Sequence, residues 1–74
     1  MASSLSESRY RRIIDRLREA RFAAGLTQAE VAERLDRPQS FVAKTERYER
    51  RLDVLEIQLI AAALGKDPGE LLED

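Results

Sequence analysis

Cysteine and histidine are both missing from this 74-residue chain. The first absence removes disulfides and thiolate metal sites. The second removes imidazole as a base or a ligand. Catalysis would then rest on carboxylates or lysine, and no pair of these is spaced for it, so neither an enzyme nor a metal or cofactor is expected. Aromatic residues are two Tyr and two Phe, which leaves the core to Leu, Ile, Val and Ala. No apolar run approaches the roughly 20 residues of a membrane span. The opening MASSLSES lacks the apolar centre of a secretory signal. A cytoplasmic protein with no membrane partner is expected.

What is present suffices for one small folded domain: 43% hydrophobic and 36% charged residues suit a soluble globular chain. The net charge is −1, but the signs are unevenly placed. Between Arg9 and Arg21 six arginines face Asp15 and Glu19, a balance of +4. Between Arg37 and Arg51 five cations face Glu46 and Glu49, a balance of +3. From Asp53 to Asp74 only Lys66 opposes six carboxylates, a balance of −5. Such asymmetry suits one face for an anionic partner and another turned away from it. A solvated charged surface is the plain alternative.

Hydrophobic spacing reads as helices throughout, and no stretch alternates with period two. Tyr10, Ile13, Ile14, Leu17, Ala20, Arg21 and Ala24 share one stripe of a first helix, which Gly25 stops in a left-handed conformation. Residues 1–8 are expected to be a flexible extension, with the domain covering 9–74. Thr27 and Glu30 form a capping box for a second helix, with Leu26 and Val31 as its hydrophobic staple. Its buried face is Val31, Ala32 and Leu35. Pro38 ends that helix near Leu35 or Asp36 and suits the first turn of the next. In this third helix Val42 and Thr45 point inward. Ser40, Ala43, Lys44 and Arg47 point outward, with Gln39 at the leading end. Asp53 and Glu56 cap a fourth helix, stapled by Leu52 and Ile57, with Val54, Ile57, Ile60, Ala61 and Leu64 as its core stripe. Gly65 ends it, and Asp67-Pro68-Gly69-Glu70 opens a short fifth helix with Leu71 and Leu72.

Two helices joined by a three-residue turn, the second with a polar outer face, make the helix-turn-helix pattern over about residues 28–47. The series Gly25-Leu26-Thr27-Gln28-Ala29-Glu30, Val31-Ala32-Glu33-Arg34-Leu35, Ser40-Phe41-Val42-Ala43-Lys44, Glu46-Arg47 and Ala61-Ala62-Ala63-Leu64-Gly65 resembles the phage-repressor and Cro-like (Xre-type) DNA-binding family. Each piece alone is weak; their order and spacing over residues 11–72 are specific. The resemblance implies an all-α, compact five-helix bundle of the lambda-repressor-like type. It also implies a transcriptional regulator, most often a repressor, acting as a homodimer on a near-palindromic operator in double-stranded DNA. The third helix, about 39–47, would lie in the major groove and the second would cross the backbone. A bacterial or phage-encoded, nucleoid-associated protein is implied, with no small-molecule ligand.

Carried onto this chain, base reading falls to Gln39, Ser40 and Lys44. A glutamine amide suits adenine, a lysine suits guanine, and a serine suits either. Ala43 lies on the same face, and Phe41 either touches a thymine methyl or packs on the helix flank beside Tyr48. Phosphate contact is implied for Gln28, with its N–H at a positive helix end. Arg47, Arg50 and Arg51 are phosphate candidates too, and Thr27, chiefly a cap, is a further one. The family's buried glutamate corresponds to Glu46, and its partner late in the first helix to Arg21, a structural ion pair.

The sequence departs from the family at several points. Asp36 and Tyr48 stand where glycine is usual, and tyrosine tolerates that backbone poorly, so the third helix is expected to run past Arg47. Thr45 replaces a core Ile or Leu, at a cost unless its hydroxyl is bonded. Arg51-Leu52-Asp53 replaces Asn-Pro-Ser. Finally, the fourth helix is apolar nearly all round. Leu55, Leu59 and Ala62 fall opposite its core stripe, with Leu52 and Leu72 beside them. Either the fifth helix covers this strip or a second copy does, in a twofold dimer. A different class of function, an antitoxin-like protein-interaction module on the same fold, is the alternative.

Overall fold

The computed structural model describes the backbone of residues 2–73 and the side chains from residue 7. Five helices follow in order: α1 (Ala2–Ala23), α2 (Gln28–Leu35), α3 (Gln39–Glu46), α4 (Val54–Ala63) and α5 (Pro68–Leu72). No strand occurs among the described residues. The all-α, five-helix expectation holds.

Three helices start as their sequences direct. In each, an N-cap side chain accepts a backbone N–H, and a glutamate three residues on accepts from the cap in return: Thr27/Glu30, Asp53/Glu56 and Asp67/Glu70. Donors that a helix start leaves unpaired are thereby satisfied locally. α3 has no side-chain cap bond. Pro38 takes its N-cap position with φ −67° and ψ 153°, one residue earlier than the first-turn place expected of it.

Four helices stop by one device. A residue one or two places past the end turns left-handed, and the next N–H reaches back five residues. Leu26 donates to Arg21 O (3.1 Å), Arg37 to Ala32 O (2.9 Å), Glu49 to Lys44 O (2.8 Å) and Lys66 to Ala61 O (2.8 Å). The left-handed residues are Gly25, Asp36, Tyr48 and Gly65. Asp36 was expected to manage this; Tyr48 was not. Its φ of 64° ends α3 at Glu46, so the expectation that this helix runs past Arg47 is corrected. The cost of the left-handed backbone is met from outside the helix. The Tyr48 hydroxyl donates to Asp15, and the Arg11 guanidinium lies 4.6 Å from its ring centre.

The core joins all five helices: Ile14, Leu17 and Ala20 from α1, Val31 and Ala32 from α2, Phe41 and Val42 from α3, Ile60 and Ala61 from α4, and Leu71 from α5, with Leu64 just past α4. Thr45 is buried without loss, because its hydroxyl donates to Phe41 O at 2.7 Å. α1 begins at Ala2, within the stretch set apart as an N-terminal extension, and Glu7 is paired with Arg51 at 2.7 Å. Two expectations are corrected. Ala24 is exposed, since α1 ends one residue before it. Val54, placed on the core stripe, is 74% exposed, and Glu56 is buried instead. The rest of the stripe holds, with Ile60, Ala61 and Leu64 buried, and the inward carboxylate of Glu56 meets Arg50 and Arg37.

Candidate nucleic-acid interface

The helix-turn-helix is built from α2, the Asp36–Pro38 turn and α3. Phe41, Val42 and Thr45 sink into the core, and that anchorage fixes which side of α3 faces solvent. Gln39, Ser40 and Lys44 are all exposed on that side, Arg47 follows them, and Ala43 between them is half-buried. The expected base-reading residues therefore share one accessible face, apart from Phe41. Its ring is buried at the foot of α3 among Leu35, Ile60 and Leu59. It is buried and not on the outer face, because an aromatic side chain contributes more in the core than on a wet helix flank.

Beneath α3, Glu46 gathers three helices. Arg21 of α1 donates to both its oxygens, Nε to Oε2 at 2.7 Å and Nη2 to Oε1 at 2.9 Å. A further Arg21 N–H reaches Leu26 O at 2.9 Å. Gln28, the first residue of α2, donates Nε2 to Glu46 Oε1 at 3.0 Å. Burial alone would raise the Glu46 pKa; the bonds from Arg21 and Gln28 outweigh it and hold the carboxylate below its ordinary value. The amide side chain of Gln28 is thus directed inward. Its backbone N–H is at the start of α2, where a phosphate oxygen is favoured. Thr27 is exposed and caps α2, accepting from the Glu30 N–H at 3.1 Å.

The expected phosphate-binding arginines are engaged within the chain. Arg47 bonds Glu49 at 3.1 and 3.2 Å on an exposed surface, a pairing that solvent leaves weak. Arg51 bonds Glu7 and stacks 4.2 Å from the Tyr10 ring centre. Arg50 forks onto Glu56 at 3.0 and 2.8 Å. Tyr10 knits the same loop to α1, accepting from the Leu52 N–H at 3.1 Å and donating to Arg50 O at 3.3 Å.

Sequence reasoning missed Arg37, Glu56, Asp15 and this role of Tyr10. Glu56 was read only as half of a capping box. Its meeting with Arg50 crosses a loop, and no helical spacing rule reaches across one. Phe22, left without a role by its position off the α1 stripe, is 60% exposed and carries the Arg21 guanidinium 4.4 Å from its ring centre. Among the described residues no helix is long and apolar enough to cross a membrane.

Comparison with known proteins agrees with this geometry. Residues 17–71 match the family model described as helix-turn-helix. A solved structure of an XRE-family like protein from Pseudomonas syringae pv. tomato str. DC3000 superposes with a TM-score of 0.92 at 52% sequence identity. The match covers 96% of this chain and 87% of that one. No curated protein matches. A family match that spans the buried Arg21–Glu46 pair, the helical pair and the exposed face of α3 leaves one assignment: the chain belongs to the Xre and Cro-like helix-turn-helix family of DNA-binding regulators.

Proposed function

We propose that the protein is a sequence-specific repressor that binds a near-palindromic operator as a homodimer, with α3 and Arg47 in the major groove. The observation that carries this is the outward row Gln39, Ser40 and Lys44 on a helix whose other side is locked into the core. A row so fixed meets base edges in one register. Phosphate contact falls to the backbone N–H of Gln28 and to Thr27, with Arg47 able to exchange its exposed partner Glu49 for a phosphate oxygen.

The dimer rests on a second surface. Leu55, Leu59 and Leu72 are 62%, 47% and 47% exposed, and Ala62 is exposed beside them. α5 seats Leu71 in the core and leaves this strip open. Val54 extends it, whereas Leu52 packs half-buried against the core. A bound dimer occupying its operator excludes other proteins from the same groove, so repression needs no further machinery.

Selection of bound sequences from random duplex DNA, followed by footprinting, tests the proposal. Two inverted half-sites about 34 Å apart are the expected outcome. A single asymmetric half-site protected by a monomer, or no enriched sequence, overturns it.

A further inference from the structure

The carboxylate of Glu56 does more than cap α4. Besides the fork from Arg50, it has Arg37 Nη1 3.5 Å from Oε2. These two arginines arrive from different segments: Arg37 from the turn before α3, Arg50 from the loop after it. Each also lies against the Phe41 ring, with guanidinium carbons 4.8 and 4.5 Å from its centre. Phe41 is in the first turn of α3, adjacent to Ser40 and two residues past Gln39. One carboxylate on α4 thereby organises both ends of the recognition helix.

The bonding also shows where the positive charge goes. A guanidinium has five N–H groups. Arg50 commits one to Arg51 O at 2.9 Å and two to Glu56. Forked arginine–carboxylate bonds fix direction as well as distance. Sequence-blind affinity for DNA grows with the number of phosphates that cations neutralise, and these two cations, with side chains 41% and 37% exposed, are already paired with one carboxylate.

We infer that Glu56 is a positioning residue for operator specificity. It holds Arg37 and Arg50 against Phe41, which fixes the first turn of α3 and withholds both cations from DNA phosphates. The operator part of this inference rests on the sequence-specific reading above; the phosphate part does not.

The test is Glu56→Gln in the full chain, since glutamine keeps the oxygen that the capping box needs. Affinity for the selected operator and for a random duplex of equal length is measured by fluorescence anisotropy across a salt series. With the tether gone, the salt slope on random duplex should steepen by about 0.9 for each arginine released to a phosphate. The operator-to-random affinity ratio should fall about tenfold, which corresponds to one bidentate base contact misplaced. A purely structural role would lower the melting temperature and leave both slope and ratio unchanged, which overturns the inference. A steeper slope with an unchanged ratio overturns the positioning role. Arg37→Gln, on an exposed turn, serves if the first variant fails to fold. Its slope should match the wild type, because that charge is already spent on Glu56. A slope shallower by about 0.9 places Arg37 on a phosphate and overturns the inference. If the wild-type chain shows no preference for the selected duplex, the sequence-specific reading fails, and the slopes still decide whether Glu56 withholds the cations.

Discussion

Arg21 and Glu46 lie 25 residues apart in sequence and meet through two parallel bonds of 2.7 and 2.9 Å, with both side chains only 9% exposed. The pair joins the end of α1 to the end of α3, and Gln28 adds the start of α2. Every polar group is matched, so the pair tolerates burial. Neither partner tolerates burial alone. Arg21→Met or Glu46→Leu should each destabilise the fold by roughly 3–5 kcal/mol, and the double replacement should recover much of that loss. A thermal-unfolding double-mutant cycle measures the coupling. Additive losses would show that the two charges act independently.

Acid should weaken the fold through two carboxylates. Glu46 is held below the usual value of 4.5. Glu56 is held at about 2, first by the bonds from Arg50 and then by the Asp53 N–H. A carboxylate whose folded pKa is depressed stabilises the fold above its unfolded value and loses that contribution as pH falls through the folded one. The melting temperature should therefore change little from neutral pH to about 5, then fall steadily toward pH 2. Glu56→Gln should flatten the part of this fall between 4.5 and 2. Melting curves by circular dichroism across that range check it, and parallel pH profiles for the two chains would refute it.

Tyr48 holds a backbone shape that glycine adopts freely, and its side chain is anchored by Asp15 and Arg11. Tyr48→Ala keeps the left-handed strain while losing the Asp15 bond and the Arg11 contact. Tyr48→Gly loses the same contacts but removes the strain. The alanine variant should melt below both the wild type and the glycine variant. Equal melting of the alanine and wild-type chains would mean the anchor contributes nothing.

On the outward face of α3, Gln39→Ala or Lys44→Ala should each cost about 1–3 kcal/mol on the operator and relax preference at particular base pairs. Arg47→Ala should weaken operator and random duplex alike and reduce the salt slope by about 1. Repeating the sequence selection with each variant separates the two behaviours. If Lys44→Ala lowers both affinities equally, Lys44 grips phosphate instead of reading a base.

A dimer through the strip on α4, as proposed, should make stability depend on concentration. If two copies cover Leu55 and Leu59, each Å² removed from water contributes about 25 cal/mol, and association stabilises the folded chain by mass action. Leu59→Glu should give a monomer that folds, melts lower and binds the full operator far more weakly. Sedimentation and melting at several protein concentrations decide this. A variant that remains dimeric and melts unchanged locates the interface elsewhere.

Local chemistry made much of this protein legible from the chain alone. The capping pairs Thr27/Glu30, Asp53/Glu56 and Asp67/Glu70 mark helix starts within three residues, and Gly25 and Gly65 mark stops within two. Val31, Val42 and Ile60 declared their burial through spacing, because amphipathic helices carry their orientation in their periodicity. The family motif in turn paired Arg21 with Glu46. What tertiary structure decided lies where that local information runs out. On α4 the spacing placed Ile60, Ala61 and Leu64 inside, but Val54 lies outside and Glu56 inside, where its carboxylate meets Arg50 and Arg37. Left-handed Tyr48 gives its hydroxyl to Asp15, 33 residues away, a contact no local pattern reveals. Phe41 left the reading face for the core, and Arg50 turned inward to Glu56, because a buried ring and a forked carboxylate form only once three segments have been folded together.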